Sequence, residues 1–283
     1  MRPTAQVPNV PPRADERHDI PATPNPTMTT DHIALTIDEG VAVLTLNRPE
    51  KLNAITPDMA AAIQDNCAAV DRDDSVRVLL VKGAGERAFC AGSDLNSLAE
   101  YPSCWKFRNR VEYATAVRNV RKPVVAALKG WVLGGGCEMA LSADIRVAGA
   151  GVRCGFPEVK RGWVGGGGAS QLLPRLIGYG HAMRLLLTGD AIDAEEAHRL
   201  GLFELVVPDT DVDTRALALC RQIAAYSQVA VEAVKASVRM ALTAPLDSGL
   251  RYENEMNTLC FAAGDHLEGI RAFQQKRPAE FKR

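Results

Sequence analysis

The stretch Gly130 to Glu138, GWVLGGGCE, constrains this chain more than any other part of it. A short apolar strand end runs into three consecutive glycines, then into a helix start with a carboxylate on its first turn. Glycines let the backbone turn sharply and approach a ligand closely. The first N–H groups of a helix lack an internal partner, so they face outward as donors and favour negative charge. Glu138 can reach the same space, so one turn offers both an anion donor and a proton-transfer group. On this stretch alone, a turn whose glycines only permit close packing, with Glu138 as a favourable first-turn charge, accounts for the residues equally well.

The flanking chain reads as strand and helix in alternation. Ile33 to Ile37 and Val41 to Leu46 are strand-like runs joined by Asp38, Glu39 and Gly40, a hairpin signal. After the polar loop Asn47 to Ala54, Thr56 and Pro57 open a helix to about Val70, with threonine as cap and proline in first position. Val76 to Val81 is a buried strand parallel to the one before the helix. Gly83 to Ala88 formally fits the GxGxxG/A dinucleotide pattern. It is rejected because Phe89-Cys90-Ala91-Gly92 follows in place of a helix, and no acidic residue ends a second strand. Ala91-Gly92-Ser93-Asp94-Leu95 is instead a second glycine turn into a short helix. One long amphipathic helix is expected from Trp105 to Val120, then strands at Pro123 to Leu128, Asp144 to Ala148 and Val152 to Phe156. Pro157 and Glu158 sit in a loop, and Gly165 to Gly168 read most simply as a flexible turn before a helix from Ala169 to Leu176, a second phosphate cradle being the weaker alternative. Beyond Tyr179 the pattern is mostly helical, with helices at 181–188, 194–200, 212–226, 228–242, 247–262 and 265–274 and a strand near Phe203 to Val207. Such an order suggests an α/β core with a helical appendage.

Composition removes several function classes. A net charge of -1 leaves no electrostatic footprint for nucleic acid or an anionic membrane surface. The 7 cysteines are odd in number and lack CxxC spacing, which suits reduced thiols in the cytoplasm. The 5 histidines have no paired spacing, so no metal site is expected, and Cys137 reads as a packed small hydrophobe. No long apolar run marks a membrane span or a secretion signal. Residues 1–30 are rich in proline and polar groups and are expected to be disordered, with Met28 a candidate true start. Residues 31–210 are expected to form the core, and 211–283 a helical region.

Together these stretches resemble the enoyl-CoA hydratase/isomerase family of the crotonase superfamily. The resemblance runs from about residue 31 to the end, through VAVLTLNRPEKLNAI, AFCAGSDL, KPVVAALKGWVLGGGCEMALSADIRVA, PEVKRG, LPRLIG and EGIRAFQQKRPAEFK. It implies an α/β fold of the crotonase type, a ββα spiral with a C-terminal helical trimerisation region. The implied activity is reversible syn addition of water to a 2-trans-enoyl-CoA. Isomerisation or other enolate chemistry on the same scaffold is the alternative, and non-catalytic acyl-CoA or RNA binding a further one. The thioester oxygen would lie between the amides of Ser93 and Gly135, each donor worth roughly 3–4 kcal/mol of barrier. Glu138 would hold and activate water, and Glu158 would exchange the proton at Cα.

The resemblance further implies that Lys51, Leu52, Ala54, Ala91, Asp94, Leu95 and Gly134 help hold the acyl-CoA. Lys276 would meet its nucleotide phosphates, from its own or a neighbouring subunit. No metal or separate cofactor is implied, coenzyme A being part of the substrate; the partners expected are that thioester and copies of the chain, as a homotrimer or homohexamer. Two positions depart from the family pattern. Ser93 stands where alanine or glycine is common, and its hydroxyl touches the thioester or caps the short helix. Trp163 is near enough to Glu158 to fill part of the acyl pocket, which argues against a long straight-chain substrate.

Overall fold

The computed structural model describes residues 31–281, so the expected disorder of residues 1–30 and the start at Met28 lie outside the described residues. The expected hairpin is β1 (Ile33–Asp38) and β2 (Val41–Leu46), antiparallel, turning through Glu39 and Gly40 at φ 47° and 80°. Successive positive φ values match the right-handed twist of the paired strands. The Thr56 hydroxyl accepts from the Met59 amide at 3.3 Å and so caps α1 (Pro57–Arg72). β3 (Val78–Gly83) then returns parallel to β2.

From here the chain winds as a spiral between two sheets. It steps out to β4 (Ala88–Cys90) and returns through α2 (Leu95–Ala99), α3 (Cys104–Arg108) and α4 (Tyr113–Asn119) to β5 (Val124–Leu128). The next turn is β6 (Trp131–Leu133), α5 (Gly135–Ser142) and β7 (Ile145–Gly149). The last is β8 (Arg153–Gly155), α6 (Ala169–Ile177), α7 (Tyr179–Thr188), β9 (Ile192–Asp193), α8 (Ala194–Arg199) and β10 (Leu205–Val207). The first sheet has the order β1-β2-β3-β5-β7-β10, parallel from β2 onward, and the second β4-β6-β8-β9. Because β4, β6 and β8 follow β3, β5 and β7 and pair in the same order, the turns after them stack side by side, and the glycine turns after β4 and β6 become neighbours.

Alternation along the strands decides which core each side chain enters. Ala42, Leu44, Leu79, Val81, Val124 and Ala126 face the main core, while Val41, Val78, Leu80, Val125 and Val147 face the opposite side. That side is covered by α9 (Val212–Ala224), whose Val212, Ala216, Cys220 and Ala224 recur every fourth residue on one face. Although it lies past residue 210, α9 therefore packs on the sheet. The tail continues as α10 (Gln228–Ala241), α11 (Leu246–Ala263) and α12 (Asp265–Gln274), with Val234, Val238, Leu246 and Phe273 exposed.

The helix expected from Trp105 to Val120 is two helices. Ser103 caps α3 by accepting from Lys106 N, and Asn109 ends it, its amide reaching the Phe107 and Trp105 carbonyls. Glu112 is then extended, at φ -101° and ψ 98°, before α4 begins. Arg110 bonds the Phe107 carbonyl and lies 4.2 Å over its ring, so side-chain contacts stabilise the break. The break carries residues 110–113 over the two glycine turns.

Candidate active site

The first turn follows β4. Gly92 has φ 92°, and its carbonyl accepts from Ile55 N at 2.8 Å. Asp94, next along, caps α2 by accepting from Asn96 N at 3.0 Å and Ser97 N at 3.3 Å, so the Ser93 hydroxyl is free of that role. Arg48 bonds the other Asp94 oxygen at 2.7 Å and holds its carboxyl below the ordinary value. The second turn follows β6, where Gly134 sits at φ 53° and ψ -124°, a conformation for glycine alone. Its amide donates to Gly155 O at 2.9 Å.

The turns press together. A β-carbon on Gly92 would stand 3.1 Å from the Gly135 amide nitrogen, and one on Gly136 would overlap the Cys90 carbonyl. Only glycine permits that approach. Among the described residues, neither the Ser93 nor the Gly135 amide donates to another group of the protein. Both are therefore free to donate outside the protein, with the positive end of α5 behind Gly135.

Two carboxylates flank this pair of amides. Glu138 is 4% exposed on the first turn of α5, and its Oε1 accepts from Ala169 N, the first residue of α6, at 3.0 Å. The Gly165 to Gly168 run, read from sequence most simply as a flexible turn, wraps this side chain. A β-carbon on Gly165 would overlap Glu138 Oε1, and one on Gly167 would lie 2.8 Å from Oε2. Glu158 is 9% exposed in a 3-10 turn spanning Pro157–Arg161, where the sequence suggested a plain loop. Its Oε1 is 3.0 Å from where a β-carbon on Gly134 would stand. Burial pushes the Glu158 carboxyl above its ordinary value and the Glu138 charge adds to this, while its own backbone amide and Arg161 oppose it.

Three residues that sequence reasoning missed join the site because of the break between α3 and α4. Glu112 bonds Arg110 at 3.0 Å, and its other oxygen stands 3.0 Å from the β-carbon position of Gly167, on the same glycine that Glu138 abuts. Burial is the main cause that raises its carboxyl. Tyr113 is 5% exposed, and its hydroxyl lies 3.1 Å from Ser93 Oγ. A β-carbon on Gly135 would overlap that hydroxyl and sit 2.9 Å from Cζ. Asn109, a poor helix former inside the supposed long helix, was the one sequence signal for the break.

The remaining candidates divide. Ala91 N donates to Leu52 O at 3.0 Å, so the Lys51 to Ala54 loop is tied directly to the first glycine turn. Asn53 fixes the loop from inside: its side chain donates to Ala84 O at 3.0 Å and Ala88 O at 2.9 Å and accepts from Arg48 N at 2.9 Å. It also adopts φ 54°, which asparagine tolerates well. Asn53→Ala is therefore expected to cost about 2–4 kcal/mol, measured by urea unfolding. Lys51 and Leu95 are exposed beside the turns. Trp163 is 42% exposed, and its amide donates to Glu158 O at 3.3 Å. Lys276 lies past α12, which packs on α11, and no hydrogen bond joins it to the glycine turns.

A family model described as enoyl-CoA hydratase/isomerase matches residues 36–283. The crotonyl-CoA hydratase of Syntrophomonas wolfei is 36% identical over 258 residues, covering 90% of this chain and 99% of that protein. The short-chain-enoyl-CoA hydratase of Clostridium acetobutylicum is 34% identical over 256 residues, 89% of this chain and 98% of that one. Among solved structures, the enoyl-CoA hydratase from Bacillus anthracis superposes with a TM-score of 0.83 at 32% identity, covering 89% of this chain and 99% of its own.

Proposed function

The chain belongs to the enoyl-CoA hydratase/isomerase family, and from that premise we propose that it is a hydro-lyase adding water reversibly to a 2-trans-enoyl-CoA. The observation that carries the reading is the approach of two turns with unpaired amides, Ser93 and Gly135, flanked by two buried carboxylates. In the proposed reaction the thioester oxygen accepts from both amides, which stabilise it as it becomes an enolate oxygen. Glu138 and Glu158 hold one water. Its hydroxyl bonds to Cβ, its other proton goes to Glu138, and Glu158 delivers a proton to Cα from the same side. Transfer of the proton from Glu138 to Glu158 resets the pair. The step calls for neither a metal nor a redox cofactor, and coenzyme A enters as part of the substrate.

Double-bond isomerisation is the second reading, favoured by the same oxyanion turns but satisfied by one carboxylate; two glutamates facing the turns favour hydration. Purified protein mixed with crotonyl-CoA is expected to bleach the enoyl absorbance. An unchanged spectrum, with a 3-enoyl-CoA converted instead, would replace hydration by isomerisation. Lys51, Leu52, Ala54, Ala91, Asp94, Leu95 and Gly134 are assigned to the acyl-CoA, with Lys276 at its phosphates. Trp163 is assigned to the acyl pocket, so a four-carbon substrate should turn over well and a sixteen-carbon one poorly in the same assay.

Exposed apolar side chains in the tail support a proposed homotrimer or pair of trimers, with residues 31–210 carrying the site and 211–283 the subunit contacts. Sedimentation of a monomer at micromolar concentration would contradict this. Among the described residues no helix is long and apolar enough to cross a membrane. The odd cysteine count supports a cytoplasmic setting, which fractionation of cells producing the native protein would test. The net charge of -1 argues against nucleic acid as a partner.

A further inference from the structure

Tyr113 lies against the oxyanion turns, and the reaction above does not use its chemistry. Its ring is enclosed, yet its hydroxyl stands where a β-carbon on Gly135 would project, beside one of the two donor amides. Ser93 Oγ, on the residue that supplies the other amide, lies 3.1 Å away. Among the described residues that serine is the phenol's only hydrogen-bond partner. Two hydroxyls in mutual contact use one hydrogen between them and keep one for a third group. One oxygen belongs to the residue of the first amide and the other abuts the residue of the second, so a thioester oxygen held by both amides would offer that remaining hydrogen an acceptor.

We propose that the Tyr113 hydroxyl is a third donor to the thioester oxygen, with Ser93 Oγ–H donating to the phenol oxygen behind it. The proposal rests on the hydratase reading of the site. A carbonyl oxygen is saturated by two donors, whereas an enolate oxygen carries more charge and takes a third readily. The phenol bond therefore strengthens as the reaction proceeds and acts on turnover more than on binding. Donation along a chain of hydroxyls polarises each bond in the same sense. Burial pushes the phenol well above its ordinary pKa, so it keeps its hydrogen throughout the neutral range.

The test uses the full-length protein with two readouts. Tyr113→Phe is expected to lower kcat on crotonyl-CoA about 10-fold or more, below the full value for an oxyanion donor because two amides remain, with KM changed less than about 3-fold. The second readout is the red shift of a conjugated dienoyl-CoA on binding, which reports polarisation of its carbonyl without turnover. It should shrink in Tyr113→Phe and grow when a fluorotyrosine, a stronger donor of nearly the same shape, is incorporated at 113. A red shift unchanged by both replacements, or a kcat for Tyr113→Phe within twofold of wild type, overturns the proposal and leaves Tyr113 as packing. The Ser93→Ala and Tyr113→Phe double variant should lose less than the product of the single losses; a strictly multiplicative loss overturns the hydroxyl pair. A wild-type protein that shifts the dienoyl spectrum yet never hydrates crotonyl-CoA would instead remove the hydratase reading, so the two failures are distinct.

Discussion

Glu158→Gln is expected to lower kcat for crotonyl-CoA hydration by about 10²–10⁴-fold, the range for loss of a positioned acid or base, while the protein remains folded. The glutamine fills the same volume and keeps a hydrogen-bonding head, but has no proton to deliver to Cα. The direction of the pKa shift gives the loss a pH signature. In the proposed hydration Glu158 holds its proton, so burial that raises its carboxyl should extend activity upward in pH, with the rate declining beyond the raised value. Dehydration needs the ionised form and follows the opposite limb. Stability follows the same proton. The native state binds it more tightly than the unfolded chain, so this stabilisation is complete below the ordinary carboxylate value and is lost as pH rises through the raised one. A glutamine does not titrate, so this pH-dependent loss is absent from the variant, and the Tm of Glu158→Gln relative to wild type should rise as pH increases from acid toward neutral. A rate within threefold of wild type, measured from loss of the enoyl absorbance, would remove Glu158 from the chemistry.

Gly135→Ala is expected to lose activity by a different route, with kcat reduced about 10²–10³-fold. The φ of Gly135 is not left-handed, so alanine suits the backbone. The added methyl instead collides with the Tyr113 hydroxyl and must displace either the ring or the turn. Displacing the turn moves the amide away from the thioester oxygen. Gly180→Ala, within α7 where a β-carbon meets nothing within 4 Å, is the matched control and should keep full activity. Equal activity of the two variants on crotonyl-CoA would mean that the Gly135 amide does not serve as a donor.

Features fixed by short-range chemistry were legible before any coordinates. Thr56 with Pro57 marked the start of α1, Glu39 with Gly40 marked the hairpin, and the triple glycine before Glu138 marked the turn into α5. What escaped depends on contacts between distant segments. Residues 105–120 have an apolar periodicity that suits one helix, and the break wins because Arg110 and Glu112 find partners in Phe107 and each other. Tyr113 carries no local mark of its position, since its relation to Ser93 and Gly135 exists only once three separate segments converge. The four glycines from Gly165 to Gly168 were legible as a turn but not as the wrapping of a carboxylate 27 or more residues earlier in the chain. Similarly, α9 follows the last strand in sequence, yet its residues at four-residue spacing close the outer face of the first sheet.

The most direct measurement is a crystal structure of the protein with butyryl-CoA, a saturated thioester that cannot be hydrated. The account predicts the thioester oxygen within hydrogen-bonding distance of both the Ser93 and Gly135 nitrogens, with Glu138 and Glu158 each in reach of one water over Cβ. A thioester oxygen bound away from either nitrogen, or carboxylates that face no common water, would contradict it.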